Sequence, residues 1–495
     1  MNTIPWGKDI RTSTSEKAAS QTWGYWQNRI NRASLVMLVE EKILDNATAK
    51  IIANAQLAAE KEQAAPGAAP ITDIMPLEKM LISHCGQMAT LIHTGRSRQD
   101  IFATLNQARL RQAVLDTAAS LNAFRARLLS IAQAHTETWM PAYTNGVQAM
   151  PITLGFYLWA FLESFERDFD RIRESYTTRI NRSALGSAVL ANSAWPLSRT
   201  RLAELLGFDA PIINSLDSSQ VSLFDIPLEA ASIAANVAVR VTTLLADVAQ
   251  QYSQTRPWLL LEQGSTYGSS AMPQKRNPGI INKCRAKAGD VIGAMQTSYL
   301  RAHNLPCGMY DNKESVSEDN TGVFVQAVHM LELAEHTFAL LRVNKERALE
   351  ELNDDWTCTM ALAETLQMKY RVPFRVGHTF ASDIVTKARA EQYLPKTFPF
   401  AAAVEIYKSV TERLTGQSET LPLSEAEFRE SLTPEYVVRT RVGLGAPNPD
   451  STTQGLKAIE ARLKEDEAWV GEQNAKLDCA QTTLDRAFEN LLEVD

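Results

Sequence analysis

The sequence predicts a mostly α-helical protein, built as three helical domains with a central bundle of long helices. Apolar residues recur at steps of three and four over stretches of roughly 25–35 residues, far above the mean helix length of about 11–12. Strand-like alternation is scarce. The chain has 495 residues, of which 45% are hydrophobic and 22% charged. It is therefore long enough for two or three domains and a large core.

The long apolar stripes mark the expected bundle helices. Segments 102–136, 152–175 and 227–252 each carry one, and Pro227 suits the first turn of the last helix. Helices of this length are typical of bundles, whose neighbours cover each other's apolar faces. The clearest stripe, in 102–136, consists of Leu110, Val114, Leu121, Phe124, Leu128 and Ile131.

Breaks in the pattern divide the chain into three expected domains. These are an N-terminal helical domain over 1–99, the central long-helix bundle over 100–352 and a C-terminal helical domain over 353–495. The middle region has many faces rich in alanine, leucine and valine. We expect self-association to cover them, and the alternative is that the end domains of the same chain do so.

The composition limits the partners and the compartment. A net charge of −7 argues against nucleic acid as a partner. The five cysteines lie far apart with no CxxC spacing, which fits a reducing compartment and disfavours a thiolate zinc site. The first residues carry no apolar signal segment, and no apolar run approaches the roughly 20 residues that span a bilayer. We expect a cytoplasmic protein without a membrane partner.

The segment Gly264–Gly279, GSTYGSSAMPQKRNPG, is the most informative part of the sequence. Glycines, serines and two prolines interrupt a chain that is otherwise helical. A polar loop between long helices is a candidate functional site, and a plain surface connector is the alternative.

This loop resembles the GSSxMPxKxNP signature of the fumarase/aspartase superfamily, with eight of its eleven positions fixed. The resemblance implies that Ser269 is the general base and that Lys275 and Asn277 are catalytic. It also places Ser270 and Met272 against the substrate. The implied reaction removes a proton next to a carboxylate and forms a doubly charged aci-carboxylate, which needs fixed positive charge and amide donors. A serine can act as base only if nearby positive charge lowers its pKa.

Other segments resemble the argininosuccinate lyase branch of that superfamily. His93–Asp100, HTGRSRQD, is similar to its HTGRSRND segment, and implies that Ser97, Arg98 and Gln99 contact substrate carboxylate. Arginine suits a carboxylate through two parallel hydrogen bonds. Leu205–Asp217 is similar to the branch's LLGFD and NSLD pieces. Val372–His378, VPFRVGH, is similar to VPFRxxH, and we interpret its histidine as structural.

The sequence departs from this branch at the expected proton donor. Tyr143–Gly155, YTNGVQAMPITLG, aligns without a gap with a YTHLQxAQPxTLG-like segment, so Thr144 is kept but Asn145 replaces the histidine. The resemblance implies that Thr144 holds a substrate carboxylate and that the Asn145 amide orients substrate by hydrogen bonds. Asn282 replaces the glutamate that usually pairs with that histidine. An amide cannot donate a proton as a general acid at neutral pH.

Three interpretations of the missing acid pair stay open. Another group, such as Tyr310 or a bound water, supplies the proton. Alternatively the leaving group departs without strong acid assistance, or the protein is inactive. We favour the first two, because Ser269, Lys275 and Asn277 are all present.

Further departures lie in the segments that would face the leaving group. Gln99 replaces a substrate-contacting asparagine. Tyr310–Thr321, YDNKESVSEDNT, is similar to the branch's YNKDLQEDKE segment but about two residues longer, and Asn320 lies where the branch has a lysine. A histidine expected near Asp73–Glu78 is missing. Recognition of argininosuccinate itself is therefore in doubt.

The resemblance implies a homotetramer with composite active sites and a small dicarboxylate substrate, with no metal and no organic cofactor. We expect a carbon–nitrogen lyase that eliminates fumarate from an N-substituted aspartate by anti elimination. One alternative is argininosuccinate lyase proper. Another is release of a different amine, such as a diamine (as in ethylenediamine-disuccinate lyases), a hydrazine or an N-oxygenated nitrogen. The alternative from another class is a non-catalytic structural homologue.

Overall fold

The computed structural model describes residues 21–493, apart from the side chains at 310, 314, 315 and 317–321. It is dominated by α-helices, as the sequence predicts. The helices of the first two-thirds of the chain are α1 Trp23–Glu40, α2 Asn46–Gln63, α3 Ile74–Cys85, α4 Arg98–Ala134, α5 Leu154–Ser175, α6 Arg199–Leu205, α7 Ser222–Gln251, α8 Gly279–Ala302, α9 Tyr310–Ala339 and α10 Lys345–Asn353.

The C-terminal third is also helical and ends in the longest helix of the described chain, which has 45 residues. Its helices are α11 Met360–Tyr370, α12 Phe374–Glu391, α13 Phe400–Thr415, α14 Glu425–Ser431, α15 Pro434–Arg439 and α16 Pro449–Glu493. Short 3-10 turns lie at Gly86–His93 and Pro395–Thr397, and π-helical turns at Tyr176–Ile180 and Asp217–Val221.

The central core is formed by α4, α5, α7, α8 and α9, and the apolar stripes predict α4, α5 and α7. Leu110, Val114, Leu121, Phe124 and Leu128 are all buried there. The 37-residue α4 begins with a capping box, in which Ser97 and Asp100 satisfy each other's backbone N–H groups. Long helices are stable here because their apolar faces are covered by neighbours.

The start of α7 differs from the prediction. The helix begins at Ser222, and Pro227 lies inside it instead of in its first turn. A proline ring removes one backbone N–H donor from the helix. The π-helical turn at Asp217–Val221 leads directly into this helix.

Two smaller cores lie beside the central one. The first joins α1, α2 and α3 to the last turns of α16, through Leu484, Phe488 and Leu491. The second lies within residues 356–432. The helix α16 also lines the central core through Leu456, Ile459 and Leu463, so it contacts both the central core and the core formed with α1, α2 and α3. The predicted domain boundaries stay a prediction.

The described strands form four separate two-stranded ladders. Three are antiparallel, β1 with β2, β5 with β8 and β6 with β7, and β3 with β4 is parallel. Their bounds are β1 Trp139–Thr144, β2 Val147–Thr153, β3 Arg182–Ser183, β4 Ala210–Pro211, β5 Leu259–Leu261, β6 Tyr267–Gly268, β7 Arg276–Asn277 and β8 Leu341–Val343.

One helical span among the described residues, Asp217–Gln251, is long and apolar enough to cross a membrane by length and composition alone. Its apolar face packs in the central core through Val237, Val241 and Leu244. Burial of this kind also explains the composition of a core helix in a large protein.

Candidate active site

The segment Gly264–Gly279 forms a small β-hairpin that enters α8. Tyr267 pairs with Asn277, and Gly268 with Arg276, so residues 269–275 form its tip. Most of this tip is exposed on the single chain. The predicted loop is therefore an ordered projection from the bundle.

Ser269 lies at the start of the tip and is half-buried. Its Oγ accepts hydrogen bonds from the backbone N–H groups of Ala271 and Met272, at 3.2 and 3.1 Å. Donors directed at an oxygen stabilise its ionised form more than its neutral form. The hairpin thus supplies, within the chain, part of the stabilisation that a serine base needs.

Lys275 and Asn277 are placed differently within the same hairpin. The side chain of Lys275 is exposed, and its backbone N–H donates to the Met272 carbonyl at 3.1 Å. The Nδ2 of Asn277 donates to the Tyr267 carbonyl at 3.2 Å. One amide hydrogen of Asn277 therefore stabilises the hairpin. The other two predicted contacts in this loop, Ser270 and Met272, are exposed at the tip.

The predicted carboxylate contacts Ser97, Arg98 and Gln99 lie at the N-terminus of α4. Ser97 caps the helix, its Oγ accepting the Gln99 backbone N–H at 3.1 Å. The exposed Arg98 guanidinium forms an ion pair with Asp73, whose Oδ2 lies 3.1 Å from Nη2. The positive end of the helix dipole at this point favours anions.

The remaining residues of HTGRSRQD hold the helix start in place. Arg96 is buried and donates to Asn31 and Ser34, each at 3.0 Å. Asp100 accepts the Gly186 backbone N–H at 2.9 Å, and burial raises its pKa to about 6. Much of this motif is therefore structural, since it joins α4 to α1 and to the chain near Gly186.

His93 in the same motif makes the stability of the folded protein depend on pH. Burial, assisted by the charge of Arg96, lowers the pKa of His93 to about 4, and its Nδ1 is buried without a partner in the described chain. The folded protein thus binds this proton less readily than the unfolded chain, so stability is lost as the pH falls from about 6.5 towards 4.

We expect His93→Gln to remove that loss. The difference in unfolding free energy between variant and wild type should shift by about 1–2 kcal/mol in favour of the variant between pH 7 and pH 4, because solvent partly screens the half-buried imidazole. Urea denaturation at several pH values measures it. Because Asp100 is present in both proteins, its titration largely cancels. Parallel pH profiles would contradict the assignment.

Thr144 and Asn145 lie at the tip of the β1–β2 hairpin. Thr144 pairs with Val147, and Asn145 and Gly146 have φ angles of 52° and 76°. Two central residues with positive φ define a type I′ turn, for which Asn-Gly is the preferred sequence. The Asn-Gly pair is a sequence signal for this hairpin, which our prediction of Asn145 as a substrate contact in place of the histidine did not include.

The hairpin is attached to α10 next to its tip, through Glu351. The Tyr143 hydroxyl and the Gln148 amide both donate to Glu351 Oε1, at 2.8 and 2.9 Å, and Arg347 pairs with the same carboxylate at 3.3 Å. Burial, with the adjacent carboxylate, raises the pKa of Tyr143. Tyr143 therefore positions the hairpin as a neutral hydroxyl.

Lys313 is a candidate site residue that was not singled out from the sequence. It lies in the first turn of α9, is fully buried, and donates to Gln220 Oε1 and to the Cys307 carbonyl. Gln220 in turn donates to Gln99 Oε1 at 2.5 Å. The signal was present, because the Asn-Lys pair of Tyr310–Thr321 also occurs in the family's YNKDLQEDKE segment. The side chains of Tyr310 and Asn320 lie outside the described residues.

The structure thus presents three local assemblies. The hairpin with Ser269, the hairpin with Asn145 and the start of α4 are each held by their own contacts. Gln99 and Lys313 are brought together through Gln220. The Asn282 side chain, on the first turn of α8, is exposed on the single chain.

Comparison with known proteins points to one family of enzymes. A family model described as "Lyase" matches residues 41–293. Argininosuccinate lyase from Methanosarcina acetivorans is 30% identical, over 84% of this chain and 81% of the relative. Argininosuccinate lyase from Geobacillus thermodenitrificans is 31% identical, over 78% and 80%.

Solved structures give the same result for the fold. EDDS lyase in complex with formate superposes with a TM-score of 0.85 at 25% identity, over 98% of this chain and 96% of that chain. A variant of EDDS lyase with bound fumarate superposes equally well. Class II fumarase from Schistosoma mansoni shares the fold at 14% identity, with a TM-score of 0.64 over 83% and 89%. The chain therefore belongs to the lyase family, as an argininosuccinate lyase-like carbon–nitrogen lyase of the fumarase/aspartase superfamily.

Proposed function

We propose that this protein eliminates fumarate from an N-substituted aspartate by anti elimination, with Ser269 as the base. The observation that carries the proposal is the Ser269 oxygen, which accepts two backbone N–H groups at the tip of a hairpin whose sequence matches the superfamily signature. The EDDS lyase variant of the same fold, which contains bound fumarate, supports the identity of the released acid.

In the proposed reaction, the Ser269 alkoxide removes a proton from the carbon next to a substrate carboxylate. The electron pair moves into that carboxylate and forms the aci-carboxylate, which Lys275, Asn277 and backbone amides of the hairpin stabilise. When this intermediate collapses, the double bond of fumarate forms and the C–N bond breaks. The electrons of that bond leave with the amine, which takes up a proton.

The source of that last proton differs from the argininosuccinate lyase pattern. Asn145 and Asn282 are amides and cannot supply it. The hydroxyl of Tyr143, near Asn145, donates to Glu351, so we assign it to holding the hairpin. Tyr310 or a bound water stays the proposed donor. If the amine leaves without strong acid assistance, the site needs no such proton donor.

We propose that the active enzyme is a homotetramer in which several chains build each site. On the single chain the tips at Ser269 and Asn145 project into solvent. The bundle helices also expose apolar side chains, among them Val239 on α7, Leu300 on α8 and Val325 on α9. A second copy that covered these residues would remove them from water and close the site. We also propose a cytoplasmic location.

The deciding experiment follows fumarate by its ultraviolet absorbance after mixing with ammonia, amines, diamines or hydrazines. Consumption with one class would establish the chemistry and name the leaving group. Release of fumarate and arginine from argininosuccinate would instead identify argininosuccinate lyase proper. No change with any of these would favour a non-catalytic homologue and contradict the proposal.

Asn145 is proposed to bind substrate as well as to form its turn, and Asn145→Gly separates the two roles. Glycine adopts positive φ freely, so we expect unfolding free energy to change by less than about 1 kcal/mol. Loss of the amide should raise KM about tenfold with kcat little changed, because binding alone is lost. Steady-state kinetics measures this. An unchanged KM would restrict Asn145 to the turn.

A further inference from the structure

We propose that Gln220 is a positioning residue, which fixes the amide of Gln99 so that its NH2 group faces a substrate carboxylate. This inference deepens the proposed function and rests on it. It concerns the specificity of the site for a carboxylate at the start of α4.

The side chain of Gln220 has partners on both sides. It lies in the π-helical turn at Asp217–Val221 and is only 1% exposed. Its Oε1 accepts from the ammonium of Lys313, and its Nε2 donates to Gln99 Oε1 at 2.5 Å and to the Val189 carbonyl at 3.4 Å. Both ends of this amide are therefore used for contacts within the protein.

The charge of Lys313 determines which group donates and which accepts in the hydrogen bonds from Lys313 to Gln220 and from Gln220 to Gln99. An ammonium group has three donors and no acceptor, so Gln220 must turn its oxygen towards Lys313. Its NH2 group then faces Gln99, which must turn its own oxygen towards Gln220. The NH2 group of Gln99 consequently points away from Gln220. The orientation of both amides follows from chemistry, although oxygen and nitrogen of an amide look alike in shape.

The burial of Lys313 makes the reverse orientation of the two amides unfavourable. The ammonium is fully buried, also donates to the Cys307 carbonyl and lies 5.1 Å from the centre of the Phe224 ring. A buried cation needs its acceptors, so a flipped Gln220 amide would leave it facing another donor. Reversal is thus costly, and a single orientation of Gln99 persists.

The hydrogen-bond donors of Gln99 and Arg98 determine which kind of ligand this site prefers. Gln99 is adjacent to Arg98 at the helix N-terminus, so an anionic acceptor is favoured there. A carboxylate accepts from the Gln99 NH2 group, whereas a carboxamide would also bring donors of its own. The site should therefore prefer a carboxylate over the amide of the same acid.

The variant Gln220→Glu reverses the direction of the hydrogen bond between positions 220 and 99. The introduced carboxylate can still accept from Lys313, but it can no longer donate to Gln99. The Gln99 amide should then flip, donate to that carboxylate and present its oxygen to the ligand. We expect fumarate binding, measured by calorimetry on the full chain, to weaken at least tenfold, or about 1.4 kcal/mol. The monoamide of fumaric acid should bind better than fumarate, a reversal of the wild-type preference.

Two further variants provide the controls. Gln220→Met should weaken fumarate binding without reversing the preference, because it removes the constraint on Gln99 altogether. Gln107→Met alters another buried glutamine, on α4, which donates to the Ile180 carbonyl at 2.6 Å. We expect it to keep the fumarate affinity within about twofold, even if stability falls. If Gln220 variants do not fold, Gln99→Glu tests the same donor and should reduce the preference for fumarate.

The outcomes separate this inference from the proposed function. If wild type binds fumarate but Gln220→Glu retains both its affinity and its preference over the monoamide, the positioning role is overturned and the lyase assignment stands. If wild type binds neither compound, the proposed function fails and the inference fails with it. The inference is supported if Gln220→Glu, unlike wild type and the two methionine variants, binds the monoamide better than fumarate.

Discussion

Replacing Ser269 with alanine should reduce turnover of the productive substrate by about 10²–10⁴-fold, the range that a positioned general base contributes. The proton next to the carboxylate is weakly acidic, and no other base is available at the tip of the 264–279 hairpin in our mechanism. Binding of fumarate should persist, because it depends on the residues that hold carboxylates. Fumarate release monitored in the ultraviolet, with calorimetric binding in parallel, measures both quantities.

Alanine at this position has a second effect that needs its own control. The Ser269 oxygen also caps the turn through Ala271 and Met272, so its loss can disorder the tip. Ser269→Asn keeps a side-chain oxygen that can accept these N–H groups but cannot act as a base. Both variants should therefore be inactive. Turnover by Ser269→Asn close to the wild-type rate would show that Ser269 serves the turn only.

The helical part of the fold follows from the sequence because its helices are long and strongly periodic. The stripe from Leu110 to Leu128 is buried as predicted, since one face of α4 can be covered only if all its members face the core. The position of Pro227 does not follow from the sequence pattern. A proline that suits a first turn also fits inside a helix when neighbouring contacts compensate for the missing N–H, and the sequence does not report those contacts.

The sequence indicates site residues where the chemistry is local, but it does not indicate contacts between residues that are distant along the chain. The roles of Ser269 and Lys275 were proposed from one short loop, and they stay predictions. The turn at Asn145 could have been predicted from two neighbouring residues, Asn-Gly. The resemblance to the family concerned only the histidine that Asn145 replaces, so the turn was not predicted. Lys313 and Gln220 are 93 positions apart along the chain, and Gln220 and Gln99 are 121 positions apart. No spacing rule in the sequence encodes contacts between residues so far apart.

Motif resemblance also mixes catalytic and structural residues. In the PITLG end of Tyr143–Gly155, Thr153 caps α5 by accepting the Phe156 N–H at 3.1 Å. A Cβ at Gly155 would lie 2.7 Å from the Ala132 carbonyl oxygen, so only glycine allows α5 to approach α4 this closely. Neither residue needs a role in the reaction to explain why the segment matches.

Replacing Asp466 with alanine should be among the most destabilising single changes in the described chain. Asp466 and Arg125 are both fully buried, and their side chains meet at 2.7 Å between α16 and α4. Arg462 and Arg173 also face the Asp466 carboxylate, at 3.2 and 3.8 Å. Removing the carboxylate leaves Arg125 buried without its ion-pair partner, which costs about 3–5 kcal/mol. Urea denaturation followed by circular dichroism measures the loss.

The size of that effect should depend on burial and not on the loss of a charge. Asp170→Ala removes an exposed partner of Arg462 on the same surface and should cost less than about 1 kcal/mol. A double variant with Arg125→Met and Asp466→Leu should recover much of the stability, since an apolar pair avoids the desolvation of two charges. Recovery would mean that the ion pair specifies how α16 docks on the bundle without stabilising it over an apolar pair. If the double variant is as unstable as Asp466→Ala, then packing around α16, and not the unpaired cation, sets the cost.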